Sequence, residues 1–302
     1  MKKNIYLIIL SFFAIYFIWG STYLLNKIAV ADIPPLFLGA IRFTIAGLLI
    51  FIIAKVLKQN VIISRKELRN SFIASFFFLS FGNGLFVWAL KYIDSGFASL
   101  LTATQPLIVL LMMWILHGKK IQLKSIIGIV LGLIGIFLLI GQDEIVNSEN
   151  QLIGIAMGFT CILSWSYGSI FVSRAELPKN FFISAGYQML LGGFILLIAS
   201  LVVGEDWVHP SDWKDVTVLS IVLLIVFGSI VAFTAFNYLL KFISTEKVAT
   251  STYVNPVVAL FLGSYFLDEK VSTQSIIATG ILFLGVYFIN SNKKSKSSNI
   301  NK

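Results

Sequence analysis

The stretch KYIDSGFASLLTATQP, residues 91–106, returns 150 positions later as KFISTEKVATSTYVNP, residues 241–256. Lys91-Tyr92-Ile93 falls on Lys241-Phe242-Ile243, and Gln105-Pro106 on Asn255-Pro256. The same offset, without a gap, brings Lys120 onto Lys270, Ser125-Ile126-Ile127 onto Ser275-Ile276-Ile277 and Gly135 onto Gly285. Nearer the start of each half, an offset of 146 brings Trp19 onto Trp165 and Ala46-Gly47 onto Gly192-Gly193. Apolar segments align by chance, so each match is weak alone. An ungapped run of about fifty residues with polar and proline coincidences marks an internal repeat.

The repeated unit is membrane material. Of 302 residues, 58% are hydrophobic and 12% charged, and mean hydropathy is +0.91. Soluble chains carry roughly 25% charged residues, so the apolar surface here must face lipid. Breaks at charges, prolines and polar clusters leave ten candidate spans: 6–30, 34–57, 70–91, 95–117, 122–141, 151–173, 180–203, 214–240, 246–267 and 271–290. Barrel strands alternate apolar and polar over about ten residues. These runs are continuously apolar, and lipid offers no partner to backbone N–H and C=O groups, so they are expected to be helices.

Lys and Arg set the orientation. If the termini lie inside, 18 of the 23 basic residues fall on the inner side and three, Lys91, Lys214 and Lys270, on the outer. Lys27 and Arg42 lie within spans. The expectation is a multi-pass plasma-membrane protein with both termini in the cytoplasm. Five spans per repeat is odd, so the second copy enters upside down. The expected fold class is all-α integral membrane, with ten transmembrane helices in two inverted-topology five-helix repeats: residues 1–145 (spans one to five) and 146–292 (spans six to ten). A disordered cytoplasmic tail, 293–302, follows. Inverted repeats present two pseudo-equivalent gates to opposite sides of one site, as in secondary transporters; a duplication kept for stability alone is the other reading.

Several classes are excluded. Basic residues sit in short clusters between apolar runs, which is no nucleic-acid footprint. The apolar run after Met1-Lys2-Lys3 outlasts a signal-peptide core and lacks a cleavage site. Cys161 is the single cysteine, so intrachain disulfides and multi-cysteine metal sites are out. No His-Glu-x-x-His, Gly-x-Ser-x-Gly or phosphate-loop pattern occurs, so neither enzyme activity, nor a cofactor, nor ATP-driven transport is expected.

Arg42 is the charge placed deepest, about 12 Å into a core about 30 Å thick. It reads as an anchor for a carboxylate or carbonyl of a solute, or else as a guanidinium satisfied by helix-end carbonyls. Lys27, near a span end, is expected to snorkel. The candidate solute contacts are Trp19, Thr22, Arg42, Asn83, Trp88, Trp165, Tyr167, Gln188 and Tyr253. Ser21, Asn26, Thr102, Thr104, Gln105, Ser166, Ser169, Asn237, Tyr238, Ser251, Thr252 and Asn255 are further span-borne polar or aromatic residues, and interhelical hydrogen bonding competes for any of them. Pro106 and Pro256, at equivalent positions, are candidate hinges or tolerated kinks. Gly128-x-x-x-Gly132 and Gly154-x-x-x-Gly158 suit helix packing, or a homodimer contact.

Trp19-Gly20-Ser21-Thr22, the Pro34-Pro35 turn, Arg42-Phe43 with Ala46-Gly47, Ala89-Leu90-Lys91-Tyr92-Ile93 before Pro106, and Asn255-Pro256 before Leu267-Asp268-Glu269-Lys270 together resemble the drug/metabolite transporter superfamily, in its EamA-type branch. The resemblance covers nearly the whole chain. It implies ten helices around a central cavity and export of small metabolites such as amino acids. It also implies an acid after span four, where this chain has His117-Gly118-Lys119-Lys120. The expected function is therefore a secondary transporter whose partners are a small solute and the bilayer. A passive channel, a nontransporting sensor and an intramembrane lipid-modifying enzyme are the other classes.

Overall fold

The computed structural model describes residues 4–118, 123–140 and 149–290. These form ten helical runs, and no strand occurs among the described residues. They are α1 (Ile5–Asp32), α2 (Pro35–Val56), α3 (Arg65–Ala89), α4 (Ser95–His117), α5 (Leu123–Ile140), α6 (Glu149–Arg174), α7 (Phe181–Val203), α8 (Asp215–Phe242), α9 (residues 245–267) and α10 (Thr273–Asn290). Seven of them, α1 to α4 and α6 to α8, are long and apolar enough to cross a membrane by themselves. Large apolar side chains stand exposed on helix after helix, among them Ile52, Phe72, Phe137, Phe194, Val202 and Phe261. Water would not tolerate that surface, and lipid does. The tail 293–302, Lys119 and Lys120 lie outside the described residues.

Helix ends follow capping chemistry and not hydropathy alone. The apolar run of the third span starts at 70, yet α3 starts at Arg65. Ser64 Oγ accepts from Glu67 N (3.1 Å) while Glu67 Oε2 accepts from Ser64 N (2.7 Å), a reciprocal cap that carries the helix into its charged flank. α2 has the opposite problem. Its N-cap, Pro34, has no side-chain acceptor. Glu205, beyond the end of α7, supplies one: its carboxylate accepts from Leu36 N (3.0 Å), Phe37 N (2.8 Å) and Ser200 Oγ (2.7 Å). A carboxylate at a helix N-terminus is doubly favoured, by hydrogen bonds and by the helix dipole. Glu205→Ala should therefore lower stability by about 1–3 kcal/mol, read as a reduced thermal midpoint of the detergent-solubilised protein; an unchanged midpoint would deny Glu205 this role.

The packing repeats when the first five helices are exchanged with the second five. α2 lies along α7 and α5 along α10, each the counterpart of the other. α1 packs on α9 and α8, as α6 packs on α4 and α3. Of the paired glycines, Gly132 faces Leu107, Gly154 faces Tyr92 and Ile93, and Gly158 faces Leu101. Connections also sort by end. Asp32 pairs with Lys214 (2.7 Å) and accepts from Thr217 Oγ1 (2.6 Å) at the α1–α2 end. Lys66 pairs with Glu176 (2.7 Å), and Tyr187 donates to the Val61 carbonyl (2.9 Å), at the α2–α3 end.

Candidate functional site

A cavity of about 100 Å³ lies where α1, α2, α3, α4, α6, α8 and α9 converge. Broken helices make it. α4 stops at Thr102, turns through 103–104 and restarts at Gln105; α9 runs Thr245–Ala249, tightens to a 3-10 turn at Thr250–Tyr253 and resumes at Val254. The breaks fall at corresponding places in the two halves. They bring Thr102 and Gln105, and Ser251, Thr252 and Asn255, to the cavity wall. Non-helical backbone at this depth is tolerated where it lines a cavity.

Three helices carry wide π turns beside the cavity: Ala14–Ile18 in α1, Phe76–Asn83 in α3 and Leu224–Val231 in α8. A π turn changes the helical register and loosens the regular hydrogen-bond ladder. The one in α8 presents both the Gly228 carbonyl, which accepts from Trp19 Nε1 (3.1 Å), and Ser229 Oγ.

Arg42 reaches the cavity from α2 and is 4% exposed. Its Nε donates to Ser229 Oγ (2.7 Å), its Nη1 reaches Asn26 Oδ1 at 3.4 Å, and the guanidinium carbon lies 4.8 Å from the centre of the Phe43 ring. Its partners are thus neutral side chains of α8 and α1, and helix-end carbonyls do not satisfy it. Among the described residues no carboxylate pairs with it. Burying such a charge at the centre of a span costs at least about 2.5–3.5 kcal/mol. Among the described residues the cavity wall holds this one cation and no acidic side chain.

Aromatic rings form much of the remaining wall. The repeat-related Trp19 and Trp165 meet edge to face at 5.7 Å, and Phe236 contacts both, at 4.9 and 5.8 Å. Tyr23 Oη and Thr102 Oγ1 share a hydrogen bond of 2.6 Å. Asn83 Oδ1 is buried there without a partner.

Of the nine candidate contacts, the fold brings Trp19, Thr22, Arg42, Asn83 and Trp165 to this cavity and leaves four elsewhere. Trp88 packs into the core. Tyr167 is exposed and rests on Phe77 (4.6 Å). Gln188 is fully buried between helices, donating to Ser184 Oγ (3.1 Å) and Asn237 Oδ1 (3.0 Å). Tyr253 turns toward Phe283 (6.1 Å). Helical register explains part of this. At about 100° per residue, Asn26 follows Trp19 on one face and Ser169 follows Trp165, whereas Tyr167 points away from Trp165. Tyr23, Asn26, Thr102, Gln105, Ser169, Ser251, Thr252 and Asn255 line the cavity without having been expected as solute contacts. For Asn26 and Ser169 the register was the available signal.

Pro106 and Pro256 do not bend continuous helices. Each sits in the first turn of a restarted half-helix, where a missing N–H costs nothing. Lys27 reaches past the end of α3, where its ammonium donates to the Leu90 and Ile93 carbonyls (2.7 and 2.8 Å).

The EamA-like transporter family model matches this chain twice, over residues 6–141 and 152–291. The chain is 34% identical over 282 residues to the "Uncharacterized inner membrane transporter YedA" of Escherichia coli (strain K12), covering 92% of this chain and 88% of that protein. It is 22% identical to the "Uncharacterized transporter YoaV" of Bacillus subtilis (strain 168), with 93% and 95% covered. A solved crystal structure superimposes at a TM-score of 0.68 with 20% identity, over 93% of this chain and 96% of that one, a likeness of fold.

Proposed function

The chain belongs to the EamA-like transporter family, and from that premise we propose that it is a secondary transporter exporting small carboxylate-bearing metabolites, amino acids among them, from the cytoplasm. The observation that carries this reading is Arg42: a buried cation without an anionic partner, facing a cavity with aromatic walls. A solute carboxylate would complete it with charge-assisted hydrogen bonds, which are shorter and stronger than neutral ones. Asn83 Oδ1, unpartnered on the same wall, suits a donor such as an ammonium group. Trp19, Trp165 and Phe236 would hold the body of the solute.

Alternating access would come from the two halves. Residues 1–145 and 146–292 act as inverted repeats, and the double family match and the exchange pattern of helix contacts support that division. The breaks before Pro106 and Pro256 are the hinges. The positive-inside pattern puts the α2–α3 end in the cytoplasm of a plasma-membrane protein.

The test is counterflow. Purified protein in liposomes preloaded with unlabelled amino acids should accumulate the labelled form transiently, and the initial rate should saturate. A linear, non-saturating flux would mean a channel, and no flux across a panel of amino and other organic acids would end the transport reading for this class.

A further inference from the structure

We propose that Lys27 and Glu269 form a two-ion clamp on the α3–α4 hairpin that holds the gate at the α1–α2 end shut in the empty carrier, with both residues positioning the gate and not touching solute. The inference rests on the transport reading for its meaning, though not for its test.

The hairpin is held at both of its helix ends by charges from other elements. Lys27, from α1, places its ammonium on the carbonyls of Leu90 and Ile93, at the C-terminal end of α3 (2.7 and 2.8 Å). Glu269, after α9, accepts at Oε1 from Ser95 N (2.8 Å) and at Oε2 from Ser95 Oγ and Gly96 N (2.9 Å each), at the N-terminal end of α4. A cation at a helix C-terminus and an anion at a helix N-terminus are the favourable arrangements for each dipole. Asp94 occupies the N-cap of α4 but makes no capping bond; Glu269 makes it instead. Burial, and after it the nearby Glu269 charge, pushes the Asp94 carboxyl above its usual range, while Lys27 opposes this.

The chain is shaped to deliver Glu269. Asp268 closes α9 in the left-handed region (φ 54°), a conformation unusual for a residue with a side chain, and the turn sends Glu269 back toward α4. A Cβ at Gly263 would overlap the Glu269 carboxylate, so only glycine leaves room for it.

The aligned positions in the other half carry different residues. At the position corresponding to Glu269 the sequence has Lys119, which can accept nothing, and the position corresponding to Lys27 is Ser173. The Ser173 hydroxyl donates within its own helix, to the Ile170 carbonyl (2.8 Å). Tying α1 and the end of α9 to both helix ends of the α3–α4 hairpin, the clamp biases the empty carrier toward closure at the α1–α2 end. By the positive-inside reading that is a cytoplasm-facing rest state, the state from which an exporter loads.

Cys161, the chain's single cysteine, lines the cavity and reports on access. Vesicles of known orientation are treated with a membrane-impermeant anionic methanethiosulfonate, with Cys161→Ser as the blank. Cys161 of the wild type should react at least tenfold faster from the α2–α3 side. Glu269→Gln, which removes the charge and one acceptor, and Lys27→Met should each raise the rate from the α1–α2 side tenfold or more. Unchanged rates from that side in Glu269→Gln would overturn the clamp, as would equal wild-type access from both sides. Glu269→Gln is nearly isosteric and carries the test even if Lys27→Met fails to fold. Because no solute is used, this outcome is separate from that of the counterflow experiment.

Discussion

Arg42→Met is expected to abolish counterflow while leaving the empty protein at least as stable as the wild type. Each hydrogen bond to a charged group contributes about 1.5–3 kcal/mol, so losing a forked contact to a carboxylate should lower kcat/KM by about 100-fold or more. The stability half of the result separates two roles. If Arg42 served to tie α2 to α1 and α8 through Asn26 and Ser229, its loss would lower the thermal midpoint. As an unpaired cation in a buried wall it instead costs stability until a solute arrives, and a methionine of similar length relieves that cost. Arg42→Lys keeps the charge without the planar fork and should fall between the two. A clear drop in midpoint for Arg42→Met with near-normal transport would sink the anchor assignment.

Gly193→Leu is expected to prevent folding altogether. α2 and α7 lie against one another over their length, and Gly193 faces α2 so closely that a Cβ there would come within 2.8 Å of the Thr44 backbone nitrogen and 3.1 Å of the Ala40 carbonyl. Backbone cannot step aside as a side-chain tip can. In lipid, apolar surface gains little by pairing with other apolar surface, so helix association relies on close backbone approach at small residues. Even Gly193→Ala should lower stability by about 1–3 kcal/mol. Gly280 is the control, since a Cβ there meets nothing within 4 Å and Gly280→Ala should leave the midpoint unchanged. Thermal unfolding and gel filtration in detergent read both; a monodisperse Gly193→Leu protein with a wild-type midpoint would contradict the packing account.

The same pair of positions shows how far the residues alone could be read. Ala46-Gly47 and Gly192-Gly193 align as a repeat coincidence in the sequence. The fold gives that coincidence a purpose, since the repeat-related helices that carry them lie against each other. Trp19 and Trp165 behave likewise, matched by offset in the chain and touching at 5.7 Å in the cavity. Proline was legible as a helix irregularity, but not its form. Pro106 and Pro256 start half-helices, because a residue without an N–H is best placed in a first turn, where no donor is required.

The class of this protein is legible in composition alone. Hydropathy and the scarcity of charge demand lipid-facing helices, because backbone groups in hydrocarbon must bond within their own segment. Offset matches divide the chain in two. These are local or statistical properties, and they survive without knowledge of any contact. Tertiary structure decided which polar residues share one space. Asn83 and Gln188 are both amides deep in apolar helices, each with a buried oxygen that lacks a partner, yet one faces the cavity and the other lies between helices and donates to Ser184 and Asn237. Their difference lies in helix rotation and in the π turns and breaks that shift it, and neither is written in the composition of a single span. Arg42 stands at the meeting point. Its place within an apolar span was readable in the sequence, but its lack of an anionic partner among the described residues appeared only once α1, α2 and α8 were placed around it.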